Sequence, residues 1–212
     1  MKMKTCMTGL VLLVIAVPFS PALGQLAGSQ ERQTDWQAYF TTGYFDAGTV
    51  LNTQVRGESV KVEMDEGWLF GVRAGADQEF FGLEALIAGV ISDMDLIADP
   101  AANLTSGHDA SVFLADVNLL WFPVGNSLAD GRVRPFATIG TGLGIFDTDF
   151  YKVENEAAWD FNVGGGIKFL LGDQGNPILR FDYRWHIFTT SSSGLNADIY
   201  RQELTMGLGF RF

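Results

Sequence analysis

The stretch LTMGLGFRF (204–212) decides how the rest of the chain is read. Leu204, Met206, Leu208, Phe210 and Phe212 share one side of a period-2 ladder, and Thr205, Gly207, Gly209 and Arg211 share the other. Such alternation marks a strand with one apolar face. A terminal segment of this kind stays ordered only if that face is pressed on something apolar. A protein core or a lipid bilayer would serve.

The opposite end narrows the choice. In MKMKTCMTGLVLLVIAVPFSPALG (1–24), two lysines precede an apolar run from Gly9 to Val17, then Pro18, Pro21 and Ala22-Leu23-Gly24. This order is that of a secretory signal peptide, expected to be removed after Gly24 to leave a single mature domain over 25–212. The apolar run is about half of the ~20 residues a spanning helix needs, which disfavours a membrane anchor. Cys6 is the one cysteine and lies in this segment, so the mature chain is expected to hold no disulfide, unlike many exported domains. Without Lys2 and Lys4, the 14 basic residues fall to 12 against 25 acidic, a net charge of −13. That balance disfavours nucleic acid and polybasic attachment to anionic lipid. No second apolar stretch approaches a spanning helix, although 47% of residues are hydrophobic. A membrane protein of this composition must therefore be a closed sheet, since hydrocarbon accepts only helices and barrels.

Eight segments repeat the alternation: 35–45, 67–76, 80–91, 111–122, 134–146, 158–171, 178–188 and 198–212. In ILRFDYRWHIF (178–188), Leu179, Phe181, Tyr183, Trp185 and Ile187 oppose Arg180, Asp182, Arg184 and His186. In AWDFNVGGGIKFLL (158–171), Trp159, Phe161, Val163, Ile167 and Phe169 oppose Asp160, Asn162, Gly164, Gly166 and Lys168. Only the first segment has ambiguous parity. A β-sandwich would scatter Lys, Thr and Glu densely over its outer face. Here the polar faces are sparse and small, as a cramped interior requires. A soluble lipocalin-like barrel with an apolar interior is the competing reading. Aromatics favour the membrane: Trp68, Trp159, Trp185 and Tyr200 gather toward one rim, and Trp36, Trp121, Phe210 and Phe212 toward the other. Outer-membrane barrels carry such girdles, with short periplasmic turns and longer external loops. GADQE (75–79) and GDQGNP (172–177) are short breaks at one end, while 46–66, 92–110, 147–157 and 189–197 are long breaks at the other. PVGNSLADGRVR (123–134) is long for a turn and has room for a small helix.

The signal peptide, the eight alternating strands and the terminal GLGFRF together resemble the small OmpA/OmpX-like outer-membrane β-barrel proteins. The expected fold is thus all-β, an eight-stranded antiparallel transmembrane barrel with up-and-down topology. The resemblance implies a bacterial outer membrane, with its lipid and lipopolysaccharide as surroundings. It also implies that Phe212, with Phe210, Leu208, Met206 and Leu204 alternating back from it, is read by the barrel-assembly machinery. The role it implies is structural, adhesive or ligand-binding, with an extracellular ligand held by the outer loops.

Side chains just fill the interior of an eight-stranded barrel. Parity sends Arg73, Glu84, Asp116, Lys168, Arg180, Asp182, Arg184, His186, Arg201 and Glu203 inward. Both signs are present, so a paired internal plug is the economical arrangement, because unpaired charges there are costly. The alternative is a narrow ion or solute path, with Arg180, Asp182 and Arg184 as its lining. A lipid A-modifying enzyme is a further alternative, with His186, Ser191, Ser192, Ser193 and Glu203 as raw material. Lipid A deacylases, however, keep histidine and serine two residues apart with asparagine following, a triplet missing here, and His186 faces inward. His108, placed in a loop, has no serine to pair with. No catalytic residue is assigned. Asp93, Asp95 and Asp99 lack the glycine and distal glutamate of a calcium loop and read as a solvated acidic loop. GTGLG (140–144) and GGGIK (164–168) lack the following helix that would cradle phosphate. Sequence spacing points to no metal cluster and no cofactor.

Overall fold

A computed structural model describes residues 34–46, 48–55, 58–64, 66–98, 108–148, 156–172, 176–189 and 198–212. The expected signal peptide and its cleavage site lie outside them. Among these residues, ten strands form: β1 (Asp35–Asp46), β2 (Gly48–Val55), β3 (Glu58–Met64), β4 (Gly67–Asp77), β5 (Phe81–Ala98), β6 (His108–Trp121), β7 (Val133–Thr148), β8 (Glu156–Leu170), β9 (Pro177–Thr189) and β10 (Asp198–Arg211). All pairings are antiparallel. Eight of the strands close a barrel in the order β5-β4-β1-β10-β9-β8-β7-β6, and β6 returns to β5. Closure leaves no barrel edge unpaired, which is what permits a sheet to sit in hydrocarbon.

The terminal strand β10 closes against β1, pairing Ala38 with Phe210 and Phe40 with Leu208. This contact also fixes the parity of β1. Gln37, Tyr39, Thr41 and Phe45 are buried inside, while Trp36 and Phe40 face out. Outward faces of the other strands carry Trp68, Phe70 and Val72 on β4, Trp159, Phe161 and Val163 on β8, and Phe181, Tyr183 and Trp185 on β9. This is an apolar band inverted relative to a soluble protein, and it answers the opening question in favour of lipid.

The long-loop end differs from the expectation. Residues 46–66, expected as a loop, contain the β2–β3 hairpin, and β3 pairs with the far part of β5 from Val60–Ala98 to Met64–Met94. β5 is therefore 18 residues long, and Asp93 and Asp95 lie on a strand rather than in a loop. His108 likewise begins β6 instead of occupying a loop. The physical reason is local: Val60, Val62 and Met64 alternate with Ser59, Lys61 and Glu63, the same period as in the barrel strands. Asp99 and the serines 191–193 fall outside the described residues. At the other rim, the long connection after β6 holds a 3₁₀ turn, Ala129–Gly131, before β7 starts at Val133.

Candidate functional site in the barrel lumen

Inward residues sort into layers along the barrel. Nearest the short turns, Asp77 on β4 accepts hydrogen bonds from Lys168 Nζ on β8 at 2.7 Å, Gln37 Nε2 on β1 at 2.8 Å and Arg134 Nη1 on β7 at 3.4 Å. Tyr39 donates its hydroxyl proton to Gln37. Arg134 lies over the Phe122 ring, 4.1 Å from its centroid, and donates to the Gln78 carbonyl at 2.7 Å. Each cation here meets both a carboxylate or carbonyl and an aromatic face, so its desolvation is offset twice.

The central layer is denser. Glu84 on β5 accepts from three guanidinium groups: Arg180, Arg73 at 3.2 Å and Arg184 at 3.0 Å. Arg180 also grips Asp182 through Nε at 2.6 Å and Nη2 at 2.7 Å, the forked pairing that guanidinium and carboxylate shapes favour. Arg73 reaches on to Glu203 of β10 at 2.5 Å, and Thr205 donates to the same carboxylate oxygen at 3.0 Å. This one network ties β4, β5, β9 and β10 across the interior.

Next along the barrel, the two ring nitrogens of His186 face carboxylates: Nδ1 lies 2.8 Å from Asp160 and Nε2 3.0 Å from Glu203. Its ring stacks on Phe188 with centroids 5.8 Å apart. Asp116 of β6 completes a grouping with Asp160 and His186. Beyond this layer the interior turns apolar, with Phe45, Leu69, Val90, Leu114 and Phe188 in one buried cluster.

Of the residues that parity sends inward, Arg73, Glu84, Arg180, Asp182, Arg184, His186 and Glu203 meet in the central network and its histidine neighbour. Lys168 belongs to the Asp77 layer instead, Asp116 to the histidine grouping, and Arg201 is buried beside His186 in the β9–β10 register. Leu204, Met206, Leu208, Phe210 and Phe212 are all exposed on the outer face, and the Phe212 N–H donates to the Trp36 carbonyl at 3.0 Å. The inward set read from the sequence omits Gln37, Tyr39, Asp77, Arg134 and Asp160. Asp77 sits inside the expected turn, and Arg134 sits next to Pro135 at a strand start. Asp160 shares its strand face with Lys168, so parity alone would have found it. Arrangements of this kind hold strands together; among the described residues no hydroxyl or thiol nucleophile pairs with His186.

A family model described as "Outer membrane protein beta-barrel domain" matches residues 10–212. No curated protein matches the chain. Among solved structures, it is similar to the outer membrane protein OprG from Pseudomonas aeruginosa, at 13% identity and a TM-score of 0.61, covering 85% of this chain and 97% of that one. Neisserial surface protein A is similar at 13% identity and a TM-score of 0.56, covering 84% and 97%. AlkL, an outer membrane protein solved in lipid bilayers, is similar at 14% identity and a TM-score of 0.52, covering 88% and 93%. At these identities the likeness is one of fold.

Proposed function

The chain belongs to the outer membrane protein beta-barrel domain family, and on that premise we propose that this bacterial outer-membrane barrel is non-catalytic and closed to solutes. Its role is to brace the envelope and to present a binding surface at the long-loop end. One observation carries the reading: the Arg73–Glu84–Arg180–Asp182–Arg184–Glu203 network spans the lumen with every member buried. The apolar cluster of Phe45, Leu69, Leu114 and Phe188 supports it, because a dry layer next to the charges opposes an ion path. The β2–β3 hairpin, paired to the extension of β5, adds sheet at the end where a ligand would be met. Irregular and peripheral segments on a rigid scaffold are where barrels place recognition.

Conductance tests this. Protein shown to be folded by its heat-modifiable gel mobility is inserted into a planar bilayer. Silence across a range of voltages is expected. Discrete, reproducible openings that change with Arg180→Ala would overturn the plug and make Arg180, Asp182 and Arg184 lining residues of a path.

A further inference from the structure

Three inward rungs of β7 are glycines, Gly140, Gly142 and Gly144, and the first two bring polar side chains of β6 and β8 together. Gly142 stands between Asp116 and Asp160 in register, and Gly140 between Asn118 and Asn162. A Cβ at Gly142 would meet Asp116 Oδ1, and a Cβ at Gly140 would meet Asn118 Oδ1, so the glycines are what leave room for these groups. His186 enters from β9, opposite Asn162. One ligand atom each from Asp116, Asp160 and His186 lie within 4.8 Å of one another, and all three residues are buried. Small side-chain adjustments would bring them around a single ion.

Several polar groups in this corner are buried without a partner. Asp116 is 2% exposed, yet neither of its carboxylate oxygens receives a hydrogen bond from an N–H or O–H donor, the Asp160 carboxylate lies close enough to share a proton with it, and one oxygen of Asp160 has no partner. Both polar atoms of Asn118 and of Asn162 are also buried without a partner. Native interiors seldom leave such groups unsatisfied unless an ion or water completes them. Among the described residues, no arginine or lysine pairs with Asp116 or Asp160, whereas the carboxylates of the central layer each hold at least one guanidinium. Two carboxylates buried side by side call for a shared cation.

We propose that Asp116, Asp160 and His186 bind one divalent transition-metal ion of the Zn²⁺ or Mn²⁺ class inside the lumen, linking β6, β8 and β9. Two carboxylates and an imidazole suit these ions, while calcium and magnesium prefer oxygen alone. The orientation of His186 fits. Its Nδ1 faces the grouping, and its Nε2–H donates to Glu203, which Arg73 and Thr205 hold in place. A carboxylate behind the imidazole is the usual way a metal-bound histidine is aimed. Asn118 and Asn162, one rung toward the short turns, supply amide oxygens to the ion or to a water bound to it.

Full-length protein is unfolded, refolded into detergent with either ZnCl₂ or MnCl₂ present so that access through the barrel is not limiting, desalted, and assayed for metal. A single equivalent retained by the wild type is expected. Asp116→Asn and His186→Gln should weaken binding by more than the roughly 10–100-fold that loss of an outer partner costs. Asp35→Asn, at the barrel rim, should retain the metal. X-ray absorption of the wild-type zinc form reads the site without any variant and should show a nitrogen and oxygen shell with imidazole scattering. Four results would each overturn the proposal: no metal retained by folded wild type, equal retention in folded Asp116→Asn, a shell lacking imidazole, or a metal-free wild type that Asp116→Asn merely stabilises, the mark of a proton shared between the two carboxylates.

Discussion

Replacing Glu84 by glutamine removes a charge at the meeting point of three buried guanidinium groups while keeping the side-chain shape. The loss is not three full ion pairs. Arg180 keeps its forked contact with Asp182, Arg184 keeps Asp182 at 3.2 Å, and Arg73 keeps Glu203 at 2.5 Å. What changes is that three cations then share two carboxylates in a buried site, and the amide can place an N–H against a guanidinium. Breaking one buried pair by removing one partner costs about 3–5 kcal/mol. The remaining carboxylates limit the total to that single-pair range, so about 3–5 kcal/mol is expected for Glu84→Gln. All five tryptophans lie on the outer face, 42–62% exposed, so their emission reports contact with lipid. Urea unfolding in phospholipid vesicles, followed by that emission, gives the difference in stability directly. A loss below about 1 kcal/mol, the range of solvated ion pairs, would refute the reasoning and mean that the central layer is hydrated.

Val163→Arg, on the outer face midway along β8, should destabilise the barrel by about 2–4 kcal/mol in the same vesicle assay, because it puts a cation near the bilayer midplane. Gly142→Ala should cost about 1–3 kcal/mol through overpacking, since the added methyl would strike Asp116 and the Ala115 carbonyl. Phe212→Ser should leave refolding into vesicles nearly unchanged, as the side chain is 79% exposed, yet lower the amount of protein reaching the outer membrane in cells, measured by fractionation. That contrast separates a recognition role for the final residue from a packing role.

The strand pattern was legible because alternation is a local property. Each residue of ILRFDYRWHIF points opposite to its neighbour whatever the rest of the chain does. Parity therefore sorted Arg180, Asp182, Arg184 and His186 from Phe181, Tyr183 and Trp185 without knowledge of the fold. The β2–β3 hairpin carries the same alternation in ESVKVEM, but only its pairing with the extension of β5 makes it sheet rather than loop. β1 stayed ambiguous because DWQAYFTTGYF carries aromatics on both faces, Tyr39 inside and Phe40 outside.

By itself, then, the sequence determined the period, the inward and outward sets, the aromatic rims and the need for closure, all consequences of side-chain direction and of hydrocarbon's intolerance of bare backbone. Only the tertiary structure decided who meets whom. Glu84 lies 96 residues from Arg180 and reaches it across the lumen. Asp116 and Asp160 converge because Gly142 stands between them in register. Partners of that kind depend on how far each strand is staggered against the next around a closed circuit, a quantity that no single strand encodes.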